Sequence, residues 1–319
     1  MADVPMTLAI RDYDYVAPLA MGDVKADGLD LTLLRTFGAL ERVMKDPSVH
    51  GGEASFSRYV QRLAGGDTDF VGLPVFLMRE FRHRCFFVTV QSTLTEAGQL
   101  GGKRVGTDNW PASGNTWSRA ILRERGVALD SVRWVVGPVD PADAGPPPDP
   151  LPRGVSLAPA GRSLSQMLLD GELDAIMCPW PPKPFYGRGS RVRRLYVDFR
   201  AAEVDYYRRT GIFPAAHILM IRRAHVEQAP WVLRSLYTAF EQARKRSEEN
   251  HRVNHETSAW LLADMEEQAA LMGEDFQPYG YRANRGMVAA FCEEQYAQGL
   301  IRQPLDPDLV FRDFEQARA

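Results

Sequence analysis

Cysteine and lysine are scarce in this chain, and long apolar runs and a basic excess are absent. Its 319 residues include three cysteines, Cys85, Cys178 and Cys292, far apart in sequence and odd in number. That argues against a disulfide scaffold or a cysteine-rich zinc site and points to a reducing, cytoplasmic setting. Lysine occurs only at 25, 45, 103, 183 and 245, so nearly all positive charge is arginine, and the net charge is −3. No basic surface for nucleic acid is expected from that balance. No stretch approaches the ~18–20 apolar residues that span a bilayer. The first ten residues, Met1 to Ile10, carry no basic n-region, apolar core or cleavage site of a secretory signal. No membrane contact is therefore expected.

What is present is ordinary for a globular protein: 45% hydrophobic and 25% charged residues. The length favours two lobes. Thr7–Ile10 reads as a strand entering the polar turn Arg11–Asp14, Tyr15–Met21 as a helix closed by Gly22, and Gly28–Leu34 as a second strand. Leu40–Gly52 is irregular in pattern. Phe56, Tyr59, Val60, Leu63 and Ala64 share one face of a helix, with Ser55 as its N-cap and Gly65–Gly66 as its stop. Phe70–Val75 is the next strand, completing a β-α-β-α-β pattern typical of a wound α/β lobe. Cys85–Val90, aromatic and β-branched, reads as a buried strand. Strands at Val105, Val132–Val136 and Leu173–Cys178 then alternate with helices through Trp117 and Ser163–Leu169, around a Pro-rich loop at 140–152. Gly211–Ile221 looks like a strand returning to the first lobe, and further helices follow from Pro230 onward. The expected division is residues 1–91 plus 211–319 for lobe 1, which carries the C-terminal helices, and 92–210 for lobe 2. The fold class is α/β, two-lobed, with a ligand cleft between the lobes at strand ends and helix starts.

Charge collects at the entrance to the Cys85 strand, where Arg79, Arg82, His83 and Arg84 meet apolar sequence. Either these arginines neutralise carboxylates of the fold, or some hold an anionic ligand. Strand alternation from Arg82 to Arg84 would set His83 on the opposite face, so all of them facing one cleft is not expected. Glu53, Ser55 and Ser57 surround one helix start, and Ser113, Asn115 and Thr116 another. Such starts receive anions through free N–H groups, or are simply capped. Glu53 is a candidate general acid if burial raises its pKa. Arg11 and Asp12 lie in the turn after the first strand, where Asp12 either orients substrate hydroxyls or shapes the turn. Trp110 and Phe213 would stack on a ring or pack in the core. His217, on an apolar strand, is a second candidate for proton handling. No pair among His83, His217 and Glu53 has close metal-ligand spacing such as HxxxH; a metal held by the three together is the open alternative to none.

The ordered set LAIRDYDYVAPL, GEASFSRYV, PVFLMREFRHR, LGGKRVGTDNWPASGNTWSRAILRERGV, GIFPAAHILMIRR and PYGYRANR, from about residue 6 to 310, resembles the 4,5-dihydroxyphthalate decarboxylase family. The resemblance implies a type II periplasmic-binding-protein-like fold in the cytoplasm and non-oxidative decarboxylation of a hydroxylated aromatic carboxylate. It gives Arg82 the substrate carboxylate and His83 or His217 the proton. The substrate ring serves as electron sink, so no organic cofactor is expected. The implied partner is the small aromatic acid, with self-association left open. A solute-binding protein for such an acid, without catalysis, is the competing expectation.

Overall fold

The computed structural model describes residues 3–143 and 150–318. The middle of the Pro-rich loop, 144–149, lies outside the described residues. Among the described residues the strands are β1 (Val4–Ile10), β2 (Leu29–Arg35), β3 (Gly51–Ser55), β4 (Phe70–Arg79), β5 (Phe86–Thr89), β6 (Arg104–Thr107), β7 (Arg133–Val136), β8 (Val155–Leu157), β9 (Ala175–Met177), β10 (Val192–Arg194) and β11 (Ala215–Arg222). The chain forms two compact units. One comprises Met1–Arg79, Ala215–Cys292 and Gln303–Ala319, the other Glu80–Pro214 and Glu293–Arg302.

In the first unit the sheet order is β2-β1-β3-β11-β4. β1 runs parallel to β2 and β3, whereas β11 is antiparallel to β3 and β4. The helices α1 (Ala17–Ala20), α2 (Ala39–Lys45) and α3 (Phe56–Ala64) connect these strands. Ser55 caps α3 by accepting a hydrogen bond from the Arg58 amide, as its position before the apolar face predicts. The region expected to be irregular, 40–52, instead holds α2 and the start of β3. The strand was hidden because it opens Gly51-Gly52, with no side chains to alternate.

Those two glycines are a packing requirement. β3 is the central strand, and a Cβ on Gly51 would sit 2.3 Å from the Met220 carbonyl of β11. A Cβ on Gly52 would sit 2.1 Å from the Ala9 carbonyl of β1, and Gly52 also has φ +144°. Below the sheet, Phe56 stacks on Phe291 at 4.5 Å between centroids and meets Phe76 and Phe311 edge-on or stacked at 6.2 and 6.1 Å. All four rings are buried. The pairing of β11 with β4 is irregular between Ala215 and Leu219. Pro74, which has no N–H to give a ladder, lies in the β4 stretch opposite this irregularity. A bulge bends its strand and re-aims side chains, and this one falls at His217.

In the second unit the sheet order is β10-β5-β9-β6-β7-β8, antiparallel on the β10-β5-β9 side and parallel from β9 to β8. β5 thus bonds to β9 and β10, and the chain from Glu80 onward packs with this unit. Its helices include α4 (Ser113–Glu124), α5 (Leu164–Leu169) and α6 (Phe199–Thr210). Back in the first unit, α7 (Arg223–Gln228) and α8 (Val232–Val253) follow β11. One face of the second unit's core is built from Phe86, Val88, Val105, Ile121, Trp134 and Met177, all buried. No helix among the described residues is long and apolar enough to cross a membrane.

The close approach at β3 is testable. Gly52→Ala should destabilise the first unit by at least ~2 kcal/mol, because the added methyl meets backbone on a neighbouring strand and the φ is strained. Urea unfolding of the variant should show the lowered midpoint, and an unchanged midpoint would refute the packing account.

Candidate active site

Glu53 follows Gly52 on the central strand and is fully buried. In the β3–β11 register His217 lies opposite Ser55. Glu53 and Ser55 share one face of the strand, so Glu53 and His217 are diagonal neighbours on that face. His217 Nδ1 makes a short contact with Glu53 Oε1. Three more groups come from the turn after β1, which runs alongside. The Arg11 amide donates to Glu53 Oε2 at 2.9 Å, Tyr13 Oη donates to Oε1 at 2.7 Å, and Arg11 Nε lies 3.6 Å from Oε1. Burial alone would raise the Glu53 pKa. The hydrogen bond and charge of His217, the Arg11 amide and the Tyr13 hydroxyl outweigh it, and the net shift is downward. Glu53 is therefore an ionised acceptor, the opposite of the protonated general acid expected from burial. An ionised carboxylate requires a proton on His217 Nδ1, which assigns the tautomer of the neutral ring. His217 keeps 11% of its side chain exposed where Glu53 keeps none.

The remaining first-unit candidates have local roles. Asp12 is exposed and pairs with Arg35 at 2.9 Å. Ser55 is the α3 cap. Ser57 is buried in the first turn of α3 and accepts from Gln61 Nε2 at 2.8 Å.

The second unit holds the other set. His83–Cys85 forms a 3-10 turn, and the strand begins only at Phe86. The alternation argument for Arg82, His83 and Arg84 therefore does not apply. Arg84 is a fold contact: its guanidinium grips Glu203 through Nε and Nη2 at 3.1 and 2.7 Å. Arg79, in the first unit, donates to the Pro278 carbonyl at 3.0 Å. Arg82 is 2% exposed and pairs with Glu80 at 3.0 Å, while its Nε has no hydrogen-bond partner. Its guanidinium lies on the first turn of α4, where a Cβ on Gly114 would be 2.5 Å from Arg82 Cζ. Ser113 opens that helix and is buried. Asn115 donates to Asp108 Oδ1 and the Asn109 carbonyl at 2.9 and 2.8 Å, and Thr116 Oγ1 donates to the Ala112 carbonyl at 3.1 Å. Burial raises the Asp108 pKa to about 6. Trp110 packs edge-on against Trp134, under the Arg119 guanidinium at 4.1 Å. Phe213 packs against Phe81 at 4.8 Å between centroids with the rings tilted by 38°.

His83 is buried between the edges of Tyr196 and Tyr206, and neither ring nitrogen has a hydrogen-bond partner. Burial, with Arg125 and Arg209 nearby, lowers its pKa to about 4. At neutral pH it is an uncharged ring with no surplus proton. Glu53 and His217 belong to the first unit and His83 to the second, and among the described residues no group of three or more His, Cys, Asp or Glu side chains could hold a metal ion.

A 4,5-dihydroxyphthalate decarboxylase from Comamonas testosteroni is 31% identical over 322 residues, covering 98% of this chain and 97% of the relative. The chain belongs to the 4,5-dihydroxyphthalate decarboxylase family. A second member, from Pseudomonas putida, is 30% identical over 217 residues, 65% of this chain and 83% of its own length. No family model matches the chain. Among solved structures, the periplasmic aliphatic sulphonate binding protein SsuA from Escherichia coli superposes with TM-score 0.56 at 13% identity, over 98% of this chain and 97% of that one. The desulfurization enzyme DSZB does so with TM-score 0.51 at 16% identity, over 98% and 99%. The fold is that of the type II periplasmic binding proteins. It is shared by a binding protein and an enzyme, so the reaction has to be argued from side chains.

In the sequence Tyr13, Glu80 and Gly114 stand out only as members of the candidate cleft stretches Arg11–Asp14, Arg79–Arg84 and Trp110–Thr116, with no role of their own. The signal for Tyr13 was its position two residues beyond Arg11 in the same turn. That for Gly114 was a glycine in the first turn of a helix, where close approach is its usual use.

For His83 the unfolded chain, with a pKa near ~6.5, binds a proton that the folded protein refuses down to about 4. Its contribution to stability is complete above pH ~6.5 and is lost as the pH falls toward 4, amounting to about 2–3 kcal/mol. Asp108, with its raised pKa, titrates in the opposite sense over an overlapping range. The difference between wild type and His83→Phe isolates the histidine. Thermal melts from pH 7 to 4.5 should show the variant losing less stability than wild type; parallel curves would contradict the buried neutral assignment.

Proposed function

We propose that the protein is a non-oxidative decarboxylase of a hydroxylated aromatic carboxylate, converting 4,5-dihydroxyphthalate to protocatechuate. The observation that carries this reading is the Glu53–His217 pair: a buried, ionised carboxylate fixing an imidazole that stays partly accessible. In the substrate each carboxylate has a hydroxyl para to it. Loss of that hydroxyl proton pushes electron density to the carbon bearing the carboxylate. A proton delivered to that carbon from His217 forms the C–H bond, and cleavage of the C–C bond releases carbon dioxide as the ring regains aromaticity. With Nδ1 held by Glu53, delivery runs through Nε2. The imidazolium is stabilised by the adjacent carboxylate until transfer, and Glu53 stays charged throughout.

Arg82 is assigned the carboxylate that is retained. Its guanidinium has an unpartnered Nε, and Glu80, its ion-pair partner, has a pKa raised chiefly by burial. The ring being its own electron sink, the proposal includes no organic cofactor and no required metal. Closure of the two lobes on the substrate and a cytoplasmic location, both expectations from the sequence, are also part of it.

The test is incubation of purified protein with 4,5-dihydroxyphthalate and related hydroxybenzoates, with and without chelator, following carbon dioxide and protocatechuate. Turnover insensitive to chelator is expected. Saturable binding without turnover across the panel would replace this reading with that of a solute-binding protein. His217→Gln should lower kcat by ~10²-fold or more with little change in binding. Arg82→Ala should weaken substrate binding, and His83→Phe should leave kcat within a few-fold of wild type. Loss of turnover in His83→Phe with His217→Gln active would exchange the roles of the two histidines.

A further inference from the structure

Tyr13 has no role in the reaction as proposed, yet it touches the same carboxylate oxygen as the imidazole. Its hydroxyl donates to Glu53 Oε1 at 2.7 Å, and Oε1 also receives His217 Nδ1–H. The phenol is held at both ends. Its ring stacks on Tyr15 with centroids 5.1 Å apart and planes 11° from parallel. Tyr15 is anchored in turn by a short hydrogen bond from its hydroxyl to the Leu77 carbonyl of β4. Burial, with Glu53 alongside, pushes the Tyr13 hydroxyl well above its ordinary range, so it stays protonated and acts on the carboxylate as a donor.

We propose that Tyr13 is a positioning residue for His217: by occupying Glu53 Oε1 it limits how much of the carboxylate charge the imidazole receives and so sets the pH range in which His217 delivers its proton. The inference rests on the reading of His217 as the proton donor. One oxygen serves two donors, so each weakens the other's bond. Without the phenol hydroxyl, Oε1 is free to bind the imidazolium more strongly, and His217 holds its proton to higher pH.

Charged and titratable groups are carried by each element next to His217 in the first unit. β3 contributes Glu53, and the turn after β1 contributes Arg11 and Tyr13, which meet that carboxylate. The following 3-10 turn brings Asp14 and Tyr15, and Tyr279 stands beyond Tyr15. β4 places Met78 opposite His217 and Arg79 opposite Ala215. The first turn of α3 carries Arg58, and Arg223, His225 and Glu227 of α7 follow the far end of β11. Tyr13→Phe keeps the ring stacked on Tyr15 and removes, besides the bond to Glu53, only the contact of the hydroxyl with the Arg11 side chain.

The experiment is a pair of measurements on wild type, Tyr13→Phe and Tyr15→Phe. Ring-nitrogen NMR of ¹⁵N-histidine-labelled protein reads the tautomer and titration of His217 without reference to activity, and kcat against pH reads the reaction. In Tyr13→Phe the His217 titration should move up by about 0.5–1 pH unit, the size of one hydrogen bond expressed as a pKa change. The alkaline limb of kcat should move with it, since a general acid must be protonated, while KM stays near wild type. Tyr15→Phe, which breaks only the bond to Leu77, should leave the His217 titration in place. An unmoved or lowered His217 titration in Tyr13→Phe overturns the proposal. A raised titration with an unmoved kcat profile upholds the coupling of Tyr13 to His217 and overturns instead the assignment of His217 as proton donor.

Discussion

A carboxylate with no exposure to solvent, at the centre of a five-stranded sheet, is the constraint on which the first unit's chemistry depends. Burying an unpaired ion costs several kcal/mol, far more than any single contact here returns. Glu53 is tolerable only because the Arg11 amide, the Tyr13 hydroxyl and the His217 imidazole all point at it. Those donors arrive from two different neighbouring strands, and they arrive because Gly51 and Gly52 let β1 and β11 close on β3. The packing of two glycines and the ionisation of one carboxylate are thus a single piece of structure. A change at either end should be felt at the other.

Much of the fold could be read from the chain, and the reasons differ by element. The α3 helix was legible because its apolar positions recur with helical spacing and Ser55 stands at its cap. The wound α/β pattern and the strand at Phe70 were legible for the same kind of reason. β3 was not, since a strand that opens with two glycines has no alternation to display. The strand after Arg84 was read one residue too early because Cys85 is apolar in either conformation, and the 3-10 turn that holds it has no compositional signature.

The site was legible as a list of residues and illegible as an arrangement. Glu53 and His217 were both candidates, but nothing in the spacing of positions 164 residues apart says that they share a proton. That relation comes from a register, His217 opposite Ser55, and from the bulge in the β4–β11 pairing. The inference that burial would raise the Glu53 pKa was sound for an isolated buried acid. It failed because hydrogen bonds to the charged form outweigh desolvation when several converge on one group.

Two histidines with opposite surroundings follow from the same physics. His83 is enclosed by tyrosine edges, with arginine charge at a distance and no acceptor for its protons, and its charged form is penalised from every side. His217 sits beside a carboxylate that is held ionised, and its charged form has a ready counter-ion. The arginines sort in the same manner. Arg84 has both carboxylate oxygens of Glu203, a full counter-ion within the fold. Arg82 shares Glu80, a carboxyl whose ionisation is itself disfavoured by burial, keeps an unpartnered Nε, and rests against the positive end of α4. A guanidinium so placed, beside a carboxyl whose ionisation is disfavoured and with a donor unused, is stabilised by an added anion.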